Sequence, residues 1–414
     1  MSQVGRVIPI FDARQIQAVS DRSGGLRSLP PLTLYIHVPW CVKKCPYCDF
    51  NSHEKPPELP QRAYLDALTA DLEQALPRIW GRQIHSVFLG GGTPSLLSES
   101  AMDELLSMVR ARVSLWADAE ITIEANPGTA EAGRFKSYAD SGVNRISLGI
   151  QSLDDNQLKS LGRIHDSNQA RKAIDMAIDS VKRVNLDLMY GLPGQDADQW
   201  RKTLQEIRSF GVEHLSLYQL TLEPQTVFAK YPPPLPDEDV LEEMETVIEQ
   251  EIIASGWERY EVSAYARAAA MSRHNLNYWT FGDYLGIGPG AHSKISFPDR
   301  ITREVRTRNP DQWMQRATAG DGSHLSEQRT IEASDLPFEF MLNALRLKQG
   351  VSADMFEAHT GLPLSDIAPQ IQRAVSQGLL SGTTGRIMAT ELGWRHLNTL
   401  QSMFLEQSHK PARP

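Results

Sequence analysis

Short apolar runs alternate with longer amphipathic stretches over residues 33–222. The intervening stretches, such as RAYLDALTADLEQAL, repeat apolar residues at helical spacing. Six β/α units in series predict a parallel sheet of the α/β class, and six units fit an open, partial (β/α)6 barrel, because eight would close a full barrel. The six predicted strands cover residues 33–38, 85–90, 119–125, 145–150, 183–189 and 214–220.

Polar residues or glycines follow each predicted strand. A glycine triplet follows the second strand, Glu124 ends the third and Gln151 follows the fourth. Asn185 and Asp187 alternate on the fifth strand, so both point to one face. A solvated rim also gives polar strand ends, but functional residues of βα barrels gather at the C-terminal strand ends. The pattern therefore predicts a single site at this edge.

The rest of the chain predicts a second part with a different pattern. YPPPLP at 231–236 is a linker candidate, and the glycine-rich stretch at 281–293 predicts a loop that returns towards the site. From about residue 333, three helices, a hairpin-like wing and a last helix predict a mainly helical, winged-helix-like domain. The predicted divisions are an N-terminal extension at 1–32, the barrel at 33–230, a helix, strand and HNLNYW segment packing on the barrel at 231–325, and the C-terminal domain at 326–414.

Charge and hydropathy narrow the possible partners. The net charge is −9, and residues 335–414 carry seven acidic and seven basic side chains, which argues against nucleic acid as a partner of the winged-helix-like domain. No apolar run reaches the ~20 residues that span a bilayer. The first residues lack a signal-peptide core. Together with scarce cysteine, these features predict a cytoplasmic protein.

The three cysteines, Cys41, Cys45 and Cys48, lie within eight positions. Thiolates are soft ligands for Fe–S clusters, zinc or Cu(I). Four thiolates normally fill a [4Fe–4S] cluster, so three would leave one iron with an exchangeable ligand. A structural zinc site with His53 as fourth ligand is the alternative, although the second ligand pair typical of such sites is missing. An odd number of cysteines argues against a disulfide framework.

Six motifs occur in order: YIHVPWC-x3-C-x2-C, GGGTPS, EANPG, GIQS, LGRIH and DLMYGLPGQ. Together they resemble the radical S-adenosylmethionine (SAM) superfamily and, within it, the oxygen-independent coproporphyrinogen oxidase group. The resemblance implies a [4Fe–4S] cluster on the three cysteines, with SAM bound at the open iron. The residues that it implies as SAM contacts are Tyr35, Gly91, Gly92, Thr93, Glu124, Gln151, Arg163 and Asp187, and, near further SAM positions, Gln219 and His292.

Two local features separate this chain from the oxidase pattern. Phe50 stands where the oxidases have a fourth cysteine, and Arg273 precedes HNLNYW at 274–279. The HNxxYW pattern is similar to the haem-binding motif of the HemW haem chaperones, which implies haem contacts by His274, Tyr278, Trp279 and Arg273. The residue types alone favour a hydrogen-bonded histidine beside core aromatics for His274, and only the motif match favours haem contact. His292, Met271 or Tyr278 could compete as iron ligand.

Three functions follow from these patterns. The resemblance favours a haem chaperone that carries a [4Fe–4S] cluster and SAM and passes haem to an acceptor protein, for example a respiratory haem enzyme. The alternative is oxidative decarboxylation of coproporphyrinogen III by radical SAM chemistry, because the residues that would contact SAM are intact. The neutral charge of the C-terminal domain argues against a winged-helix regulator. Whether SAM is cleaved or only bound stays open.

Overall fold

The computed structural model describes residues 25–26, 28–128, 133–383 and 385–405. Most of the predicted N-terminal extension and the tail from residue 406 lie outside the described residues. The largest described sheet has twelve strands. The described strands are β1 Leu32–Val38, β2 Trp40–Cys41, β3 His53–Glu54, β4 Gln83–Gly91, β5 Ser114–Ala125, β6 Arg145–Gln151, β7 Arg183–Tyr190, β8 His214–Gln219, β9 Glu258–Arg259, β10 Ala264–Ala266, β11 Asp283–Ile287, β12 His292–Ser296, β13 Ile301–Arg306, β14 Leu325–Thr330, β15 Val351–Ser352 and β16 Arg386–Ile387.

The helices connect the parallel strands and then form the C-terminal region. In chain order the described α-helices are α1 Gln61–Ile79, α2 Glu99–Arg112, α3 Phe135–Asp140, α4 Asp155–Ser160, α5 Ser167–Ser180, α6 Ala197–Ser209, α7 Val227–Lys230, α8 Glu238–Glu251, α9 Arg273–Trp279, α10 Pro310–Ala319, α11 Leu336–Ala344, α12 Ala353–Thr360, α13 Ala368–Ser376, α14 Glu391–Arg395 and α15 Leu397–Ser402.

The six predicted strands are β1, β4, β5, β6, β7 and β8, and they lie side by side, all parallel, in that order. The α/β class and the partial barrel are therefore confirmed. The sheet stays open among the described residues, because β14 and β9 end it on opposite sides. Crossover helices start at sequence-encoded caps: Asp166 and Gln169 form a capping box for α5, and Asp196 and Gln199 form one for α6.

The glycine-rich stretch at 281–293 was predicted as a loop, and this prediction was wrong in part. It forms β11, which pairs in parallel with β1, then a turn and the start of β12. Gly288 and Gly290 have positive φ and make the turn. Gly286 lies within β11, where a Cβ would come 2.1 Å from the carbonyl oxygen of His292. Glycine here permits close backbone approach inside a strand, which composition alone does not distinguish from a loop.

The two faces of the sheet differ in polarity. Side chains such as Leu34, Ile36 and Ile123 are fully buried in a core between the sheet and the helices. The alternate positions of the same strands carry polar groups that are also buried, including Glu120 and Asn185. Period-two alternation therefore separates an apolar helix-facing side from a polar inner face. The predicted shared face of Asn185 and Asp187 is confirmed, since their side chains are hydrogen-bonded.

The C-terminal region surrounds a second apolar cluster that includes Phe340 and Phe356. Strand β15 follows α11, and β16 follows α12 and α13. The two strands form a short antiparallel pair in which Val351 faces Ile387. The predicted last helix is two short helices, α14 and α15. The helical character of this region is confirmed, whereas the division of the chain into domains stays a prediction. Among the described residues, no helix combines the length and the apolar character needed to cross a bilayer.

Candidate functional site

The cysteine loop is closed at its base by backbone pairing. Strands β2 and β3 pair in parallel, with Trp40 opposite His53. The backbone N–H of Lys55 donates to the carbonyl oxygen of Cys41 at 2.8 Å, and that of Cys48 donates to Cys45 at 3.2 Å. The loop that carries the three thiols is therefore held at both ends.

All three cysteine side chains line one cavity of about 280 Å³ at the C-terminal ends of the parallel strands. Thr93 Oγ1 lies 3.5 Å from the sulfur of Cys41, and Arg163 Nη1 lies 3.6 Å from that of Cys45. Burial raises the pKa of the Cys41 and Cys48 thiols above its ordinary value. A bound metal centre would reverse this effect, because coordination deprotonates a thiol.

The thiols fit a cluster better than a single ion. Within the described part of the chain, no three His, Cys, Asp or Glu side chains are close enough to hold one metal ion. His53 does not line the cavity and instead lies 3.4 Å from Asn51 Oδ1 through its Nε2. The zinc alternative with His53 therefore receives no support from the geometry. Three separated thiols around one cavity suit a cluster with several irons.

The glycine triplet lets the backbone at the cavity wall pack closely against the end of β1 and against β2. Gly91 has φ +111°, and a Cβ there would lie 2.4 Å from the His37 ring. A Cβ on Gly92 would lie 2.6 Å from the Trp40 carbonyl oxygen. Thr93 follows, and its buried hydroxyl accepts a hydrogen bond from Asn126 Nδ2 at 2.9 Å. All three predicted residues of the triplet motif line the cavity.

Two carboxyl groups face this cavity, Glu124 from β5 and Asp187 from β7, with β6 between the two strands. The backbone N–H of Gly91 donates to Glu124 Oε2 at 3.0 Å. Burial, and then repulsion from Asp187, raises the pKa of Glu124 to about 7. Burial also raises the pKa of Asp187, although Ser147 Oγ donates to it at 3.0 Å. Two such carboxyls on one cavity favour a cationic ligand.

Arg163 supplies the opposite charge on the same cavity wall. Its Nη2 donates to Asn126 Oδ1 at 2.6 Å and to the carbonyl oxygen of Gly149 at 2.9 Å, while its buried Nε has no partner among the described residues. Gln151 also lines the cavity and adopts φ +65°, a conformation that non-glycine residues rarely take. Cation and carboxyls therefore lie on one cavity, as a zwitterionic ligand requires.

Asn126 belongs to the site but was absent from the predicted contacts. Its side chain bridges Thr93 and Arg163. The sequence does indicate this position. Asn126 lies two residues after Glu124, and side chains two residues apart along a strand point to the same face. Tyr47 and Met189 were also missed and line the same cavity. Their side chains carry no charge that would single them out in a sequence.

A second cavity of about 490 Å³ adjoins the first and shares Phe50, Gly91 and Glu124 with it. Two predicted SAM contacts, Tyr35 and His292, line this second cavity. The structure therefore separates them from the residues of the cluster cavity. Their predicted contact with SAM stays a prediction.

Gln219, at the end of β8, is exposed and lines neither cavity. Of the ten predicted SAM contacts, it alone lies outside both cavities. Its neighbour Tyr218 faces the cluster cavity instead. A contact between Gln219 and SAM stays a prediction.

The HNLNYW segment forms helix α9, which packs on the polar inner face of the sheet. The Glu120 carboxylate accepts hydrogen bonds from the backbone N–H groups of His274 at 3.1 Å and of Arg273 at 3.2 Å. His274 is 1% exposed; its Nδ1 lies 2.9 Å from Ser86 Oγ and its Nε2 lies 3.3 Å from Tyr278 Oη. Burial lowers the pKa of His274 to about 3. This arrangement is that of the alternative interpretation, a hydrogen-bonded core histidine.

The other predicted haem contacts point in different directions. Tyr278 lines the second cavity. Trp279 packs on the C-terminal apolar cluster, where the Arg346 guanidinium lies 4.3 Å from its ring. Arg273 is exposed and forms an ion pair with Asp118 at 2.9 Å. The four predicted haem contacts therefore do not converge on one space, and their role in haem binding stays a prediction.

Comparisons with known proteins agree with this geometry. The model of the radical SAM superfamily matches residues 35–207, and that of the HemN C-terminal domain matches residues 331–396. Coproporphyrinogen III oxidase (HemN) from Escherichia coli, a radical SAM enzyme, superposes with a TM-score of 0.77 at 22% identity, covering 95% of this chain and 93% of that one. At this identity the likeness shows the fold alone.

Sequence relatives are closer. The heme chaperone HemW of Escherichia coli (strain K12) is 48% identical, over 92% of this chain and 99% of that protein. The heme chaperone HemW of Haemophilus influenzae is 44% identical with the same coverage. A mouse protein, radical S-adenosyl methionine domain-containing protein 1, mitochondrial, is 36% identical over 92% of this chain and 90% of its own length.

The open parallel sheet with a three-cysteine loop at its C-terminal edge defines a radical SAM protein. Within that class, the extent and identity of the matches decide the assignment. The chain belongs to the HemW family of haem chaperones.

Proposed function

We propose that this protein binds a [4Fe–4S] cluster, SAM and haem, and that it passes the haem to an acceptor protein. The observation that carries the proposal is the shared wall of the two cavities: Phe50, Gly91 and Glu124 line both. Three thiols lie on one side of that wall, and an aromatic cavity lies on the other. The relatives named heme chaperone HemW support haem as the cargo.

Cys41, Cys45 and Cys48 would hold the cluster. The donor set is soft, the thiols share one cavity, and Lys43, in the same loop, lines it. A bound cluster of this type supplies an electron donor and one iron open to an exchangeable ligand. The sequence contains no fourth cysteine, so that iron would have no thiolate ligand from this chain.

SAM fits the charges of the cluster cavity. Its cationic amino group suits the Glu124 carboxylate and Asp187, whereas its carboxylate suits the Arg163 guanidinium. The partner-free Nε of Arg163, buried beside the cavity, favours an anionic ligand at this place. The backbone of Gly91 and Gly92 adds close approach without side-chain obstruction.

Haem transfer is tested by loading and release. The anaerobically reconstituted protein, loaded with haem and mixed with haem-depleted respiratory membranes, should lose its Soret band as membrane cytochromes gain theirs. Haem that stays with the protein over hours, while the same membranes accept haem from a chaperone of this family, would contradict the transfer step. The acceptor is proposed to be respiratory, and the place of action cytoplasmic.

A second candidate is the oxidase reaction on coproporphyrinogen III. The specific observation in its favour is that Glu124, Arg163 and Asp187, the residues it would need around SAM, line the cluster cavity together. Anaerobic incubation with SAM, a reductant and coproporphyrinogen III should give no protoporphyrinogen IX if the protein is a chaperone only. Product at enzyme-like turnover would contradict the chaperone proposal.

A further inference from the structure

We propose that haem lies in the second cavity, between the cluster loop and β12, and that the imidazole of His292 binds its iron; this inference rests on the proposed haem binding. The cavity holds about 490 Å³, within the range of roughly 300–1,000 Å³ usual for small-molecule sites. It carries a free histidine, several aromatic rings and an exposed arginine. An iron porphyrin needs these three kinds of group: an axial nitrogen, flat apolar faces and a partner for its propionates.

His292 is the available nitrogen ligand. It is the first residue of β12, its side chain is exposed, and it lines both the second cavity and a neighbouring one of about 500 Å³. Among the described residues, no hydrogen bond to its ring is present. Partial desolvation at the cavity wall, and then the Arg303 charge, lowers its pKa, so the ring is neutral at pH 7 with a lone pair to donate.

The ring nitrogens of the other two histidines near this cavity, His37 and His274, already form hydrogen bonds within the protein. His37, which also lines the second cavity, has Nδ1 3.0 Å from the Tyr35 hydroxyl and Nε2 2.9 Å from the Asn51 carbonyl oxygen. His274 has both ring nitrogens bound inside the protein and lines neither cavity. To ligate iron, either ring would first have to give up buried hydrogen bonds and leave their partners unsatisfied, which is unfavourable.

The walls of the second cavity suit a flat macrocycle. Tyr278 and Tyr284 meet edge to face, with ring centroids 4.6 Å apart, and both line the cavity. Phe50 lines it from the cluster side and is 57% exposed. The exposed Phe50 ring could therefore cover apolar porphyrin surface.

Arg308 is the partner we assign to a propionate. It lines the cavity and is exposed. Within the described part of the chain, only the Nε of its guanidinium has a hydrogen-bond partner, Asn51 Oδ1 at 3.4 Å. Arg303, nearby on β13, is already paired with Glu339 and with the Tyr284 hydroxyl. The free guanidinium edge of Arg308 is therefore positioned for a carboxylate.

Hemin titration of the anaerobically reconstituted protein tests the assignment. We compare wild type with His292→Ala, with His274→Ala, and with His85→Ala as a control in a half-buried histidine of β4 outside both cavities. We expect His292→Ala to weaken hemin binding by about tenfold or more and to shift the Soret band, while the two other variants keep the wild-type spectrum. Added imidazole should restore the wild-type band in His292→Ala.

The outcomes separate the inference from the function beneath it. If wild type shows no saturable hemin binding, the proposed function fails and the inference fails with it. If wild type binds and His292→Ala has the same affinity and spectrum, only the inference is overturned. Iron ligation by His292 would also be overturned if added imidazole did not restore the hemin binding lost in His292→Ala. The same holds if His292→Met left the Soret spectrum unchanged. Should His274→Ala not fold, Ser86→Ala replaces it, because it removes the Nδ1 partner alone.

Discussion

The Nε2 atom of His37 lies 2.9 Å from the carbonyl oxygen of Asn51. This contact joins β1 to the end of the cysteine loop. The Asn51 side chain continues the link, since its Nδ2 donates to the carbonyl oxygens of Pro289 and Arg308, each at 3.0 Å. Asn51 thereby ties the cluster loop to the turn before β12, and with it to the second cavity.

Replacement of Asn51 by alanine should loosen the cluster loop. The variant loses both side-chain donations and leaves two carbonyl oxygens without this partner, so we expect the free energy of unfolding to fall by about 1–3 kcal/mol. The reconstituted cluster should also be lost faster to an iron chelator. Urea unfolding and iron release measure the two effects. The control is Asn156→Ala, in an exposed residue of α4; equal iron release from both variants would contradict the role of Asn51.

Replacement of Gly91 by alanine should be more damaging than replacement of Gly211, another glycine with positive φ. Gly91 and Gly211 both have positive φ, but a Cβ at Gly211 meets nothing within 4 Å, whereas one at Gly91 meets the His37 ring at 2.4 Å. Gly211→Ala should therefore lower the free energy of unfolding only through the strain of positive φ in the backbone. Gly91→Ala should cost about 1–3 kcal/mol more through overpacking, measured by urea unfolding. Equal losses would show that the ring moves aside freely.

The affinity for SAM should rise with pH between about 5.5 and 7.5. The pKa of Glu124 is raised to about 7, so the carboxyl is protonated below that pH and ionised above it. A cationic amino group prefers the ionised form, so binding releases a proton below pH 7, and affinity there should fall by up to about tenfold per pH unit. Equilibrium dialysis on the reconstituted protein measures this dependence.

Glu124→Gln should flatten that pH profile and weaken SAM binding at pH 7.5. The matched control, Asp198→Asn, changes an exposed carboxyl in the first turn of α6 and should keep the wild-type profile. If Glu124→Gln kept the wild-type dependence of SAM affinity on pH, the proton released on binding would come from another group. Asp187 would then be the candidate, because its pKa is also raised.

Helix α9 depends on one buried carboxylate. Glu120 pairs with Arg183 and accepts from the backbone of Arg273 and His274. Glu120→Ala leaves the half-buried Arg183 guanidinium and the N-terminus of α9 without their buried partner, so we expect a loss of about 3–5 kcal/mol in the free energy of unfolding. Arg273→Ala removes an exposed ion pair with Asp118 and should cost about 1 kcal/mol or less. Similar losses in the two variants would contradict this account.

Much of the site was predictable because it lies on regular elements. Strand period two places Glu124 on the inner face, and parallel strands bring their C-terminal ends to one edge, next to Cys41 and its two partners. The same rule places Asn126 beside Glu124, although the motif resemblance does not include it among the SAM contacts. The sequence therefore contains the polar wall of the cluster cavity almost completely.

The place of His274 could not be predicted in this way. Its burial depends on Glu120 and Ser86, more than 150 residues earlier in the chain, which hold its backbone and its ring. A motif such as HNxxYW specifies residue types, but it does not show whether a histidine ring nitrogen is left without a hydrogen bond and could bind iron. The accessibility of His292 at a cavity could not be predicted either. It lies in a glycine-rich segment predicted as a loop, and the pairing of β11 with β1 brings it to the second cavity.

The central claim, that this protein carries haem beside a three-cysteine cluster site, is tested most directly by one titration. Hemin is added stepwise to the anaerobically reconstituted protein, and the Soret band is followed to saturation. The account predicts a saturable band at a defined stoichiometry, distinct from that of free hemin. A spectrum that grows linearly without saturation and matches free hemin throughout would contradict it.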